Sequence, residues 1–244
     1  MKKMSIEEWL SSTLNKVCDV DILIHEKNAI ILTWIEGKNV IDIGCGTGHL
    51  VNELVRRHYR VTATDILDLS IKITKEKIGK KANVIKDDIK NTHIDAKFDT
   101  VICSDVLEHL KDDERAIKNL VKLTKIGGCI IVTLPAHKWL FGFHDERMGH
   151  QRRYTKIELI DKFIKNYNFV RLEKIRYWNL ISLLPKIYFE RILNSAPKYD
   201  KSMKFFNKHF LFRNILKMLI EIDKFISRFY GITIIAKFRK IGDK

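Results

Sequence analysis

The sequence predicts an α/β fold built on a mostly parallel sheet, and three observations predict it. Short runs rich in β-branched residues recur along the 244-residue chain. Stretches with apolar residues at helical spacing separate them, and the first run closes on a glycine-rich turn. Strand, helix and strand in alternation impose right-handed crossovers, and such doubly wound sheets bind ligands at the carboxyl ends of their strands.

The elements follow in order. Residues 5–35 carry apolar positions at helical spacing, giving an N-terminal helical segment over 1–35. The core, 36–177, opens with the strand NVIDI (39–43), followed by the helical HLVNELVRRH (49–58) and the strands RVTAT (60–64) and NVIK (83–86). The strand FDTVICS (98–104) leads into the helical DDERAIKNLVKL (112–123) and the strand CIIVTL (129–134). A polar stretch, HDERMGHQRRY (144–154), precedes the helix KIELIDKFIKNY, and FVRLEKIRYW (169–178) is the sixth strand. The last strand begins at Gly231, within a terminal unit 231–244.

Between these two strands, residues 178–230 form an amphipathic helical insertion. In one helix Leu211, Ile215, Met218, Leu219, Ile222, Phe225, Ile226 and Phe229 share a face, with Arg213, Lys217, Glu221, Lys224 and Arg228 on the other. A second helix is NLISLLPKIYFERIL, followed by the basic and aromatic KYDKSMKFFNKHF. Ten Lys or Arg stand against four acids in this segment. Basic residues mixed with exposed aromatics suit a helix lying on an anionic bilayer. The same pattern serves equally a hairpin over the active site or a homo-oligomer contact.

Composition narrows the class. With 45% hydrophobic and 31% charged residues the chain is an ordinary globular protein, and its net charge of +15 favours anionic partners. Cys18, Cys45, Cys103 and Cys129 lie far apart with no C-x-x-C pair, which argues for thiols in a reducing compartment. The N-terminal MKKMSIEEWLSS lacks the apolar stretch of a signal peptide, and no run is apolar enough to span a membrane. A cytoplasmic location is expected, membrane-peripheral where the insertion meets a bilayer.

The strongest chemical signal is VIDIGCGTGHL (40–50). Gly44, Gly46 and Gly48 let the chain turn from strand to helix and let a ligand lie against backbone N–H groups at a helix N-terminus. Asp65 ends the second strand, where a carboxylate can accept bonds from both hydroxyls of a ribose. Asp42, inside the first strand, either caps the glycine loop or orients a ligand's ammonium through water.

These motifs resemble the class I S-adenosylmethionine-dependent methyltransferases from about residue 25 to the C-terminus. KDDI (86–89), FDTVICSDVLEHL (98–110), LTKIGGCIIVTLP (123–135) and the final GITIIAKFRK match in the right order. The resemblance implies a Rossmann-like seven-stranded sheet with an antiparallel last strand, and S-adenosylmethionine as cofactor. It places Asp42, Gly44, Cys45, Gly46, Gly48, Asp65 and Ile66 around that cofactor, with Asp88 on the adenine amino group, Ile89 against the ring, and the Cys103–Ser104 backbone at the methionine portion. Gly127 and Gly128 are expected to make a tight turn into the fifth strand. A nicotinamide enzyme predicts neither the G-x-G-x-G spacing nor the terminal strand.

No [DN]-P-P-[YF] sequence follows the fourth strand, which disfavours methylation of nucleic-acid bases. There Glu108 and His109 are read as structural or cofactor-loop residues. HDERMGHQRRY falls in the connection that covers the acceptor pocket in this fold, and it resembles a segment of a subgroup associated with lipid-linked glycan and quinone-like pathways. His150 or His144 is the candidate general base, Asp145 or Glu146 fixing its tautomer, and Arg152 and Arg153 are candidates to clamp an acceptor anion. The same residues also read as an internal salt-bridge network. A metal site from His144, Asp145 and His150 has no recognised spacing, and none is expected. The reading is O-methylation of a small or lipid-linked acceptor at or near a membrane; the alternative is an RNA methyltransferase or RNA-binding module using the basic surface.

Overall fold

The computed structural model describes residues 22–188, 218–219, 221–223 and 225–243. Its centre is a seven-stranded sheet: β1 (Asn39–Ile43), β2 (Arg60–Asp65), β3 (Asn83–Lys86), β4 (Phe98–Ser104), β5 (Thr124–Pro135), β6 (Val170–Trp178) and β7 (Thr233–Lys240). The order across the sheet is β3-β2-β1-β4-β5-β7-β6, and β7 runs antiparallel to both neighbours. The expected Rossmann-like sheet with its antiparallel last strand is therefore present.

Strands buried on both faces need apolar residues at odd and even positions alike, which is why β1, β4 and β5 read as continuous β-branched runs. Helices α1 (Ile22–Trp34), α2 (His49–Arg56) and α3 (Asp68–Ile78) belong to one side, whose core contains Ile31, Val40, Val51, Leu54, Ala63 and Ile102. Helices α4 (Asp113–Leu123) and α6 (Lys156–Ile164) cover the other side, over Ile41, Val101, Ile130 and Val132. There Phe163 of α6 stacks on Phe238 of β7, ring centroids 4.1 Å apart. Local chemistry sets the helix starts: Asp112 accepts from Arg115 N (3.2 Å) ahead of α4, and Thr155 from Glu158 N (3.2 Å) ahead of α6.

One expectation needs correction. Gly127 and Gly128 do not precede the fifth strand; β5 begins at Thr124, opposite Phe98, and resumes its register at Cys129, opposite Thr100. The intervening residues bulge out of the ladder, with Gly127 at φ 80°. A side chain on Gly128 would stand 2.8 Å from the Asp99 carbonyl oxygen, so only glycine passes there.

Residues 1–21 and 189–217 lie outside the described residues, and with them Cys18, Leu211, Ile215, Arg213, Lys217 and most of the two insertion helices expected from sequence. The described parts of the insertion are α7 (Leu183–Ile187) and helical residues between 218 and 226. Asp223 Oδ1 accepts from Ile181 N (2.7 Å) and joins them. Both parts sit at the ends of β6 and β7, where Trp178 pairs with Thr233.

Candidate active site

The loop after β1 is held by its neighbour strand. Gly44 N and Cys45 N both donate to the Thr64 carbonyl (2.8 and 2.9 Å), and Gly46 N donates to Asp65 Oδ2 (2.9 Å). Asp65 Oδ1 accepts from Leu67 N (2.9 Å), so this carboxylate caps the loop, the role the sequence left open for Asp42. Gly44 has φ 75°, and a Cβ there would lie 2.3 Å from Val106 Cγ2. Gly46 has φ 54° with no atom within 4 Å of a Cβ, which leaves a bare backbone facing open space. Thr74 Oγ1 donates to the Gly46 carbonyl (3.0 Å) from α3. Ile66, next to Asp65, is 54% exposed, and Asp88 caps a 3₁₀ turn by accepting from Lys90 N (3.0 Å). Ile89 is buried in the core beneath it.

Carboxylates crowd this crevice. Burial pushes Asp42 up to about 7, Asp65 adds to the rise, and Lys27 of α1 opposes it. Burial also raises Asp65. Lys27 pairs with Asp105, which takes the left-handed conformation (φ 55°) just past β4. Ser104 Oγ donates to Thr133 Oγ1 (2.9 Å), and Thr133 Oγ1 donates to Asp105 Oδ1 (2.9 Å). Burial works against the Asp105 anion, but Lys27, Thr133 and His150 hold its carboxyl below the usual range. A cleft with an open glycine backbone, a carboxylate at the end of β2 and surplus negative charge fits a nucleoside carrying a sulfonium and an ammonium.

The polar segment folds over the ends of β4 and β5. Helix α5 (Phe143–Met148) brings in Asp145, which is fully buried. Its Oδ1 accepts from His150 Nδ1 (2.9 Å) and Arg153 Nε (2.9 Å), and its Oδ2 from Gly142 N (3.2 Å) and Lys186 Nζ (3.2 Å). Burial opposes the charge, yet the bonds from His150 and Arg153 hold this carboxyl below the usual range. An ionised Asp145 requires the proton on His150 Nδ1, and a neutral ring then has Nε2 as acceptor. His150 meets His109 edge-on at 4.7 Å. Burial and His150 bring His109 down to about 4; burial and Asp105 raise Glu108 well above the carboxylate range. Glu108 Oε2 and His109 Nδ1 are buried without a hydrogen-bond partner. Among the described residues, Glu108, His109 and His150 alone form a cluster close enough for a metal, their ligand atoms within 4.8 Å of one another.

The two arginines of the segment have partners within the protein. Arg153 is buried, its guanidinium taken by Asp145 and the Ala136 carbonyl (3.0 Å). Arg152 donates to the Lys111 carbonyl (2.7 Å) and to buried Asp113 (3.4 Å). Both arginines therefore fasten the segment to the core, the internal network weighed against an acceptor clamp. Tyr154 completes that anchor, its hydroxyl donating to Asp113 Oδ2 (2.7 Å). His144 is partly buried on α5. The sequence reading missed Lys27, Asp105 and Lys186, since a single charged residue in a helical or loop stretch carries no pattern.

Fold and sequence likeness together make the chain an S-adenosylmethionine-dependent methyltransferase, similar to those of class I. Residues 41–132 match the family profile described as a methyltransferase domain. The chain is 25% identical over 182 residues to the ubiquinone biosynthesis O-methyltransferase of Rickettsia bellii (strain OSU 85-389), covering 63% of this chain and 75% of the relative. It is 36% identical over 115 residues to that of Coxiella burnetii (strain Dugway 5J108-111), covering 43% of this chain and 49% of the relative. In fold it is similar to the N-methyltransferase NodS from Bradyrhizobium japonicum WM9 in complex with S-adenosyl-L-homocysteine, with a TM-score of 0.64, 16% identity and 98% of each chain covered.

Two outcomes are expected. Asp65→Ala weakens S-adenosylmethionine binding about 100-fold or more in calorimetry, roughly 2.7 kcal/mol, with the circular dichroism of the fold retained; unchanged affinity removes Asp65 from the ribose site. Asp42, raised to about 7, is neutral below that pH and ionised above it. Between about pH 6 and about pH 8 the affinity for S-adenosylmethionine therefore rises relative to that for uncharged-sulfur S-adenosylhomocysteine, and Asp42→Asn flattens the ratio. A ratio independent of pH in the parent protein contradicts this.

Proposed function

We propose that the chain methylates a hydroxyl oxygen of a small or lipid-linked, quinone-like acceptor, working at or beside an anionic membrane surface. The observation that carries the reading is the Asp145–His150 pair beside the end of β4, which leaves a histidine nitrogen as acceptor near Ser104 and Asp105. The likeness to the ubiquinone biosynthesis O-methyltransferases of Rickettsia and Coxiella supports oxygen as the acceptor atom and a quinone precursor as the acceptor class. S-adenosylmethionine supplies a methyl carbon activated by its positive sulfur.

The protein's own task is to align the acceptor, exclude water and remove the hydroxyl proton. His150 Nε2 takes that proton, and Asp145 stabilises the imidazolium that results through the Nδ1 hydrogen bond. Gly44, Gly46 and Gly48 with Asp65 hold the nucleoside, Asp88, Ile66 and Ile89 frame its base, and Asp42, Cys45, Cys103 and Ser104 line the methionine end. His109, Glu108 and the polar segment 144–154, the lid of the site, close the acceptor side. No described helix is long and apolar enough to cross a membrane. Met218 (57%), Phe225 (64%) and Phe229 (72%) are exposed in the insertion, among its excess of basic residues, and support a surface contact with lipid.

His150→Ala is expected to lower methyl transfer to a short-chain catechol about 10²- to 10⁴-fold while leaving the S-adenosylmethionine dissociation constant within about twofold. Normal turnover in that variant returns His150 to a lid-building role. With a polyprenyl catechol in anionic vesicles, the parent protein co-sediments at low salt and is released at high salt, since screening removes the attraction; equal binding to neutral vesicles contradicts the electrostatic reading.

A further inference from the structure

Asp145 divides its two oxygens between different parts of the chain. Oδ1 serves His150 and Arg153 of the lid, whereas Oδ2 accepts from Gly142 N and from Lys186 Nζ, both at 3.2 Å. Lys186 lies 41 residues further on, in α7 of the helical insertion. Its side chain is only 9% exposed, while Leu184 (76%) and Tyr188 (48%) on either side face outward. A surface helix ordinarily turns its leucines inward and lets lysine reach water. Here the arrangement is reversed, and the cost of burying the ammonium is offset by the carboxylate it meets.

The reversal has a use. The terminal torsion of a carboxylate is broad, so bonds to one oxygen alone leave it free to turn. Lys186 and Gly142 hold the second oxygen and thereby aim the first at His150 Nδ1. Arg153 does not duplicate this, because its guanidinium is committed to Oδ1 and to the Ala136 carbonyl. We infer that Lys186 is a positioning residue of the methyl-transfer site, holding His150 through Asp145 in the tautomer that carries its proton on Nδ1, so that the helical insertion is part of the site. The effect on rate rests on His150 being the proton acceptor; the effect on its tautomer does not.

The full chain, saturated with S-adenosylhomocysteine and labelled with ¹⁵N-histidine, tests this in parent, Lys186→Met and Lys186→Arg forms. Long-range ¹H–¹⁵N spectra should show His150 of the parent with its proton on Nδ1. Lys186→Met should give a mixture of tautomers, an S-adenosylhomocysteine dissociation constant within about twofold, and a kcat for a short-chain catechol lowered about tenfold with a smaller change in KM. Lys186→Arg should restore spectrum and kcat together. Parent-like ring signals and kcat in Lys186→Met overturn the inference, as does failure of Lys186→Arg to rescue either one. If Lys186→Met does not fold, Lys186→Gln takes its place and must show the same tautomer mixture. Normal turnover in His150→Ala would remove the base assignment alone, and the ring spectra would still judge Lys186.

Discussion

The reversal of strand order between β1 and β4 is the constraint from which the site is built. From β1 the sheet continues to β2 and β3 on one side and to β4 and β5 on the other, so the crossover helices leave on opposite faces and a crevice opens at the carboxyl ends. Its two walls are the glycine loop after β1 and the Ser104–Asp105 turn after β4. Lys27 reaches across from α1, pairing with Asp105 and acting on Asp42. Asp42 and Asp105 share one lysine, and Asp65 adds its charge beside Asp42, an arrangement unfavourable by itself. A ligand that brings positive charge into the crevice relieves the repulsion, which ties cofactor choice to topology.

On the acceptor side, two buried carboxylates replace regular secondary structure as the organising device. Asp113 receives Tyr154, Lys162 and Arg152, and Asp145 receives His150, Arg153 and Lys186. Desolvating so many charges consumes much of what their attraction returns, so such clusters are weak sources of stability. They do fix an irregular connection, and the concentration of acids, arginines and histidines between 144 and 154 has that physical meaning. Gln151 N donating to the Glu108 carbonyl (2.7 Å) locks the same segment to the turn after β4.

Much of the sheet was legible because strands buried on both faces leave continuous β-branched runs, and β1, β3 and β4 have the bounds their sequences suggest. β5 was shortened by reading Gly127 and Gly128 as a turn before the strand, when they form a bulge inside it. The turn after β1 was legible because glycine spacing is a positional signal: Gly44, Gly46 and Gly48 all take positive φ there. The polar segment was less so: a guanidinium that grips a ligand and one that anchors a loop are the same letters, so the sequence left both readings of Arg152 and Arg153 open, and the contacts they make are those of an anchor. Burial also runs against residue type at Lys237 and Lys240, both nearly inaccessible in β7. The first pairs with Glu36 and Glu173. The second donates to the carbonyls of Val121 (3.2 Å) and Thr124 (3.1 Å).

The place of the insertion follows from the antiparallel strand. Because β7 lies between β5 and β6, the chain must leave the top of β6 and re-enter at the top of β7, where Trp178 pairs with Thr233 and Thr233 with Pro135. The approach is close: a side chain on Gly231 would meet the Trp178 carbonyl oxygen at 2.3 Å. Once both ends are fixed by the sheet, lengthening the connection costs little, since closure entropy grows only with the logarithm of length. Added residues necessarily emerge at the carboxyl edge, beside the lid. His137 stacks on both Tyr177 of β6 and Tyr230 at the end of the insertion, whose rings lie 5.8 Å apart, and the three join strand and insertion there. The described start of this connection already reaches the lid: Lys186 of α7 meets Asp145 of the polar segment, whereas the glycine loop after β1 is held by β2 and α3.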